Sequence, residues 1–395
     1  MKNLTLFILF LIPATVEIYA QTPADTAFAN KFYQYSLQLI TQGENDSAQL
    51  LLNQALAIYQ QAYGQNDTHS ANCYNQLGRM FRNAAQFDSS LIYFEKGLAI
   101  RLKALGENHP LVANSYNNIG NVYKNQGNYP AALEYYQKSL AIRIQTLGKN
   151  HPDVANSYLG IGNVYYSQGK YTTALEYYQK SLNMRIQTLG NNHPDVAASY
   201  NNIGLVYWQQ GKYTTALEYY QKSLAIWLQT LGKNHPLVAT SYNNIGNVYL
   251  YQGKYTLALR YYQKSLSILI HTFGNKHPDV ATSYHNIGIV YTHQGKYSTA
   301  LKYYQKSLSI LIHTFGNKHP DQARTYNNLA ELFTKQKNYP QALFYSHQAI
   351  LSNIPDFNNP NPYSLPKIQQ PAMSEPYYLK TLKGKANILL QLGKE

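Results

Sequence analysis

The chain has 395 residues, a length that at about 150 residues per domain suggests two or three ordinary domains. Aromatic residues reach 14% and charged residues only 13%, so the chain is too rich in large apolar groups to be disordered, and Asn, Gln and Tyr fill the surface role usual for Lys and Glu. The one cysteine, Cys73, excludes an intramolecular disulfide and four-thiolate zinc sites, while the formal charge of +14 favours acidic partners or anionic surfaces and names none of them.

In chain order, residues 1–20 come first. Lys2 precedes an apolar run from Leu4 to about Val16 that ends in the small residue Ala20, which is the layout of an export signal. The run is shorter than the roughly 20 apolar residues of a membrane span, and Pro13 and Glu17 interrupt it. Cleavage near Ala20 is expected, with a periplasmic or secreted destination in a bacterial envelope and no transmembrane span in the mature chain.

The pair His-Pro then recurs at 109/110, 151/152, 193/194, 235/236, 277/278 and 319/320, always 42 residues apart. One period back from His109 lies Asp67, and one further back Asp25, each opening a degenerate copy. Eight units are therefore expected over 25–353: about 25–66, 67–108, 109–150, 151–192, 193–234, 235–276, 277–318 and 319–353.

Within a unit the spacing is helical. In the third copy Tyr116, Ile119, Gly120 and Tyr123 share one face of a first helix, which Gly127 ends. Tyr129 opens a second helix, where Ala132, Leu133, Tyr136, Leu140 and Ile144 repeat that spacing until Gly148. Proline suits the first helical position, whose N–H has no partner, and Asp153, Asp195, Asp279 and Asp321 follow where the helix end is positive. Gly120, Gly162, Gly204, Gly246 and Gly288, with Ala132, Ala174, Ala216, Ala258 and Ala300, are small where two helices cross. No hairpin buries its apolar stripe alone, so successive hairpins must stack.

The period breaks after residue 353. Pro355, Pro360, Pro362, Pro366, Pro371 and Pro376 mark 354–376 as non-helical, and Leu382, Ala386, Leu389 and Leu390 form an amphipathic helix within 377–395, a candidate terminal cap.

The run Tyr116, Ile119-Gly120, Tyr123, Gly127-x-Tyr129, Ala132 and Tyr136 resembles the tetratricopeptide consensus, with the second helix lengthened from a 34-residue to a 42-residue unit. Its GxxHPxVAxxYNNIGxVYxxQGxYxxAL variant is similar to the class in kinesin light chains and nephrocystin-like proteins. The tail resembles the region preceding caspase-like domains in bacterial proteins of this type. The resemblance implies an all-α fold, a right-handed α-α superhelix whose first helices line a concave wall. The end repeats depart from the pattern: Ser36 and Ala85 stand where glycines recur, and Asn45 replaces the tyrosine.

On that mapping the inward positions are Asn75, Asn117, Leu159, Asn201, Asn243, His285 and Asn327. Four residues on stand Arg79, Asn121, Asn163, Leu205, Asn247, Ile289 and Glu331. A file of asparagines offers donors and acceptors to the main chain of an extended peptide; the competing reading is that they bond to neighbouring repeats. Further inward come Arg82, Lys124, Tyr166, Trp208, Leu250 and Thr292, then Tyr251, giving a basic stretch at Arg79, Arg82 and Lys124 beside aromatic anchors. Trp227, on a second helix, is read as outer surface or inter-repeat packing. Lys138, Lys180, Lys222, Lys264 and Lys306 are read as solvated lysines of the outer side.

No catalytic or cofactor motif accompanies the repeats, and six of the twelve histidines belong to the His-Pro turns and form a ladder, not a metal cluster. Cys73 occupies a small-residue packing position. The expected protein is a non-enzymatic scaffold without cofactors that binds a protein or peptide, acidic at one place. A regulatory or sensor module for a partner hydrolase and an envelope protein contacting anionic glycans are the alternative readings.

Overall fold

The computed structural model describes residues 23–42, 44–353, 359–364 and 375–393. The expected leader at 1–20 and most of the proline-rich segment lie outside the described residues. The described chain is all α-helical and forms two compact units, residues 1–191 and 192–395.

The first unit holds four hairpins: α1 (Pro23–Gln42) with α2 (Asn45–Tyr63), α3 (Thr68–Asn83) with α4 (Phe87–Leu105), α5 (Pro110–Asn125) with α6 (Tyr129–Leu147), and α7 (Pro152–Ser167) with α8 (Tyr171–Leu189). The second unit holds α9 (Pro194–Gln209) with α10 (Tyr213–Leu231), α11 (Pro236–Tyr251) with α12 (Tyr255–Phe273), α13 (Pro278–His293) with α14 (Tyr297–Phe315), α15 (Pro320–Lys335) with α16 (Tyr339–Asn353), and then α17 (Glu375–Leu392). Each unit is a solenoid of stacked antiparallel hairpins.

Helix boundaries follow from local chemistry. Each His-Pro pair places proline in the first turn and histidine at the N-cap; His109 Nδ1 accepts from the Leu111 N–H at 3.1 Å, and His151 Nδ1 from that of Asp153 at 3.1 Å. The cap gives the histidine ladder a structural job. At the hairpin bend Gly127 has φ +77°, a left-handed conformation open to glycine at little steric cost; Ala85 adopts φ 57° at the equivalent place and bears that strain.

In six of the eight hairpins the core contains a close contact between a first-helix glycine and a second-helix ring. Tyr136, Tyr178, Tyr220, Tyr262 and Tyr304 are buried, and each lies flat against the glycine of its own first helix, Gly120, Gly162, Gly204, Gly246 and Gly288. A Cβ on Gly162 would sit 2.6 Å from two ring carbons of Tyr178, well inside van der Waals contact. Phe94 fills the same role over Gly78. Where the ring is missing the glycine is missing too: Leu52 stands opposite Ser36, and Ser346 opposite Ala330. Valines such as Val154 and Val164, and Ile161, complete the buried layer toward the neighbouring hairpin.

On the outer edge each second-helix lysine covers two tyrosines, one from each helix of its hairpin. Lys138 Nζ lies 5.8 Å from the Tyr116 ring centre and 5.2 Å from that of Tyr135, and Lys180, Lys222, Lys264 and Lys306 repeat the arrangement. These lysines are packing elements as well as solvated charges.

In the second unit α17 takes the place of a further first helix against α16. Buried Lys385 donates to the Ser364 carbonyl at 2.7 Å and lies 3.2 Å from His347 Nδ1, while His347 Nε2 lies 2.8 Å from the Asn359 carbonyl. Burial pushes the Lys385 ammonium down to about 8. Ile388 joins Ala342 and Leu343 in the apolar part of this joint. Among the described residues no helix is long and apolar enough to cross a membrane.

Replacing Gly162 with alanine is expected to destabilise the protein by about 1–3 kcal/mol, because ring and helix must separate. A thermal or urea unfolding curve for G162A checks this, and an unchanged midpoint contradicts the contact.

Candidate functional site

Within each unit the first helices approach one another, α3 with α5, α5 with α7, α9 with α11 and α13 with α15, more closely than successive second helices do. Side chains of the first helices therefore crowd together along one face. Most of the residues picked out from the sequence lie on it.

The asparagine file is largely built into the stack. Asn118 Nδ2 donates to Asn75 Oδ1 at 2.7 Å, Asn244 to Asn201 at 2.9 Å and Asn286 to Asn243 at 2.7 Å, each 43 residues apart and so joining adjacent first helices. Gly160 stands at the position matching Asn118, which leaves the Asn117 side chain without such a partner. Asn327 donates to Thr381 of α17 at 2.7 Å. The second file bonds inward: Asn121, Asn163 and Asn247 accept from the hydroxyls of Tyr136, Tyr178 and Tyr262 at 2.8, 2.8 and 2.6 Å. Burial holds those phenols neutral, and each needs an acceptor. Where Phe94 lacks the hydroxyl, the partnering position is free to be Arg79.

His285 departs from its expected place in a binding face. It is 1% exposed, with Nδ1 3.0 Å from Thr325 Oγ1 and Nε2 3.1 Å from Asn328 Nδ2. Burial depresses its pKa well below the usual imidazole range, with the Arg324 charge adding to the effect. It is a joint between hairpins, and a ligand does not reach it. Trp227 is likewise internal, 2% exposed with its indole N–H donating to the Pro194 carbonyl at 3.2 Å, so inter-repeat packing holds for it and outer surface does not.

Aromatic residues form a ledge in the second unit. Trp208 and Tyr251 meet edge to face at 5.3 Å, Tyr213 stacks on Tyr251 at 6.1 Å, and Tyr251 remains 59% exposed. In the first unit Tyr166 instead packs on Tyr171 at 5.8 Å.

A cavity of about 470 Å³ opens in the first unit, lined by Tyr33 of α1, by Asn72, Asn75, Gln76, Arg79 and Arg82 of α3, by Arg101 of α4, and by Leu111, Asn114, Asn117 and Asn118 of α5. Burial lowers the pKa of Arg82, and Arg79 lowers it further; Lys124 is lowered by burial and then by Arg82, so these cations repel one another. No carboxylate among the described residues pairs with Arg79, Arg82, Lys124 or Arg101.

Arg101 was not legible as a site residue. It belongs to a buried slot in which a second-helix guanidinium ties two hairpins together: its Nη1 donates to Ser115 Oγ at 2.9 Å and the Leu111 carbonyl at 3.2 Å, and its Nη2 to Asn72 Oδ1 at 2.9 Å. Arg143 repeats this with Ser157, Asp153 and Asn114, and Arg185 bonds Asn156. In the first hairpin Tyr59 fills the slot and donates to Asn30 at 2.7 Å. Later copies change both partners together, Trp227 with Ala198, Leu269 with Thr240 and Leu311 with Thr282. That paired change, 29 residues apart, is the sequence signal that exposes the slot.

Among the described residues no group of three or more His, Cys, Asp or Glu side chains is placed to hold a metal ion. Cys73 is buried, which pushes its thiol up to about 12 and leaves it inert at neutral pH.

This architecture is that of a helical-repeat binding protein. A family model described as tetratricopeptide repeat matches residues 28–103, 84–143, 111–187, 153–223, 195–271, 243–312 and 279–350, and the chain belongs to that family. No curated protein sequence matches the chain. Among solved structures, the apo form of the quorum sensor NprR from B. thuringiensis is similar, with TM-score 0.58 and 15% identity over 88% of this chain and 91% of that one. The Rap conjugation gene regulator of the plasmid pLS20, in complex with the Phr* peptide, has TM-score 0.54 and 16% identity, covering 84% of this chain and 97% of its own. BtubC (BKLC) from P. vanneervenii has TM-score 0.47 and 21% identity over 62% and 91%. At these identities the likeness concerns the fold.

The variant R143L is expected to lose about 2–4 kcal/mol of stability, because it strands the Asn114 and Ser157 side chains. Copying the later hairpins with N114T/R143L is expected to recover most of that loss. Urea unfolding of both variants checks the slot, and equal losses contradict it.

Proposed function

We propose that the protein is a non-enzymatic scaffold that binds an extended peptide or flexible protein segment on its first-helix face. The observations that carry this reading are unspent polar groups on the first helices of the first unit and, taken separately, exposed aromatic surface on those of the second. Asn75, Asn72 and Asn114 have their amide oxygens engaged within the protein, by Asn118, Arg101 and Arg143, and keep Nδ2 donors for a guest. Asn117 keeps its whole amide, while Trp208 and Tyr251 supply rigid apolar area of the kind that anchors peptides. Asn201 and Asn243 in the second unit likewise accept through Oδ1 and keep Nδ2, while Asn121, Asn163, Asn247 and Asn327 serve mainly to set the spacing of the first helices. The Phr* peptide bound by the Rap regulator shows that a repeat array of this fold can hold a peptide.

The 42-residue period and the His-Pro signature align the protein with the kinesin-light-chain and nephrocystin-like class. The N-terminal layout favours export to a bacterial envelope or beyond, where the partner would then reside. Arg79, Arg82 and Lys124 favour a partner that is acidic where it meets the first unit.

A W227F variant leaves Trp208 as the only tryptophan. Titration with a library of acidic-aromatic peptides is expected to shift Trp208 emission, and adding Y251A is expected to weaken the same peptides about tenfold or more with helix content unchanged. No emission change across the library, or affinity indifferent to Y251A, contradicts the reading.

A further inference from the structure

Half of the chain's positive charge sits in two neighbouring hairpins of the second unit. Residues 235–318 hold eight Lys or Arg side chains and one acidic residue, Asp279, and so contribute +7 of the formal +14. Asp279 is at the cap of α13, 3.7 Å from His277 Nδ1, and the second helices α12 and α14 carry no carboxylate at all. The excess comes from one column of the repeat. The position that holds Glu134, Glu176 and Glu218 in the third to fifth hairpins holds Arg260 in the sixth and Lys302 in the seventh. These two hairpins are near copies, yet at this position they carry different side chains with the same charge. Glu134 pairs with Lys138 four residues on, at 2.8 Å. Lys264 and Lys306 instead have a second cation four residues back, which weakens a helix unless an outside anion offsets the repulsion. Among the described residues none of these four cations makes an ion pair.

Packing fixes the charges on the outer side. Lys264 Nζ lies 5.1 Å from the Tyr242 ring centre and 5.5 Å from that of Tyr261; Tyr261 stacks on Tyr249 at 5.4 Å, and Lys254 lies 6.0 Å from Tyr249. Lys296, Tyr291, Tyr303 and Lys306 repeat the row in the seventh hairpin. Two ammonium groups thus flank one tyrosine stack, and with Arg260 or Lys302 each hairpin presents three exposed cations. Apolar side chains border them. Leu257 shares the helix face of Arg260 and Lys264, at i, i+3 and i+7, and is 37% exposed. Phe344 of α16 takes the Arg260 and Lys302 position in the eighth hairpin and stands 47% exposed, edge-on to Tyr345. A soluble polyanion gains nothing from exposed leucine and phenylalanine. An anionic bilayer uses both kinds of group, since its headgroups attract the cations and its acyl boundary takes the apolar side chains.

We propose that the outer face of α12, α14 and α16 is a docking surface for an anionic lipid membrane, with the six cations against the headgroups and Leu257 and Phe344 entering the acyl boundary. The proposal goes beyond the scaffold reading, because it uses the second helices and leaves the first-helix face free for a peptide.

The test is co-sedimentation of the whole chain with phosphatidylcholine vesicles, with and without about 30% phosphatidylglycerol, and with dextran sulfate as a soluble polyanion. Binding to the phosphatidylglycerol vesicles alone is expected, falling as salt rises. R260E/K302E restores the glutamate column of the earlier hairpins and is expected to cost about tenfold or more in vesicle binding with helix content unchanged. K103E/K149E makes the same charge change at exposed sites of the first unit and is expected to cost much less. L257S/F344S is expected to weaken vesicle binding about fivefold or more and to leave dextran sulfate binding unaltered. Equal binding to phosphatidylcholine alone, or R260E/K302E costing no more than K103E/K149E, overturns the proposal. Vesicle binding indifferent to L257S/F344S overturns it as well and assigns the surface to a soluble polyanion.

Discussion

The structure rests on a flat contact, made in six of the eight hairpins, between an aromatic ring of the second helix and a glycine of the first. The ring is among the largest buried groups of its hairpin, and it fits only because the opposing helix presents backbone where a side chain would stand. Closing the two helices to that distance sets which residues of the first helix remain outside and how near the next hairpin can come. The two places where the ring is absent show the dependence from the other side, since Ser36 and Ala330 appear only opposite Leu52 and Ser346. A burial requirement of this kind is met hairpin by hairpin, so a chain of 395 residues needs no single large core.

Given that fixed frame, the remaining contacts are solved with interchangeable chemistry. The slot between hairpins takes tyrosine, arginine, tryptophan or leucine, and the facing first-helix residue changes with it, asparagine opposite tyrosine or arginine and alanine or threonine opposite tryptophan or leucine. Buried tyrosine hydroxyls recruit Asn121, Asn163 and Asn247, and Tyr304 turns to Thr292 at 3.2 Å where the column holds Ile289. Tolerance of this sort leaves the first-helix face of each unit able to vary: one carries cations and amides, the other an aromatic ledge.

Much of this organisation is legible in the sequence because it is local. The His-Pro turns, the glycine stops and the 3.6-residue spacing each act within a few residues, and the helices start and end at them. The fate of the asparagines was not legible by the same route. Asn75 and Asn118, or Arg101 and Asn72, meet across 43 and 29 residues, and a single helix gives no sign of such contacts. His285 looked like an inward-facing substitute for asparagine, yet Thr325 and Asn328 of the next hairpin enclose it. The basic stretch at Arg79 and Arg82 was visible as charge, but its third member, Arg101, required knowing that a second-helix residue reaches under the first.

On the proposed reading, an acidic segment of the ligand meets the first helices of the first unit, over the cavity between α3 and α5. Photo-crosslinking with an acidic peptide that carries a diazirine, followed by mass spectrometry, tests that placement directly. Adducts within residues 68–83 and 110–125 are predicted, and adducts confined to the second helices α4 and α6 would contradict it.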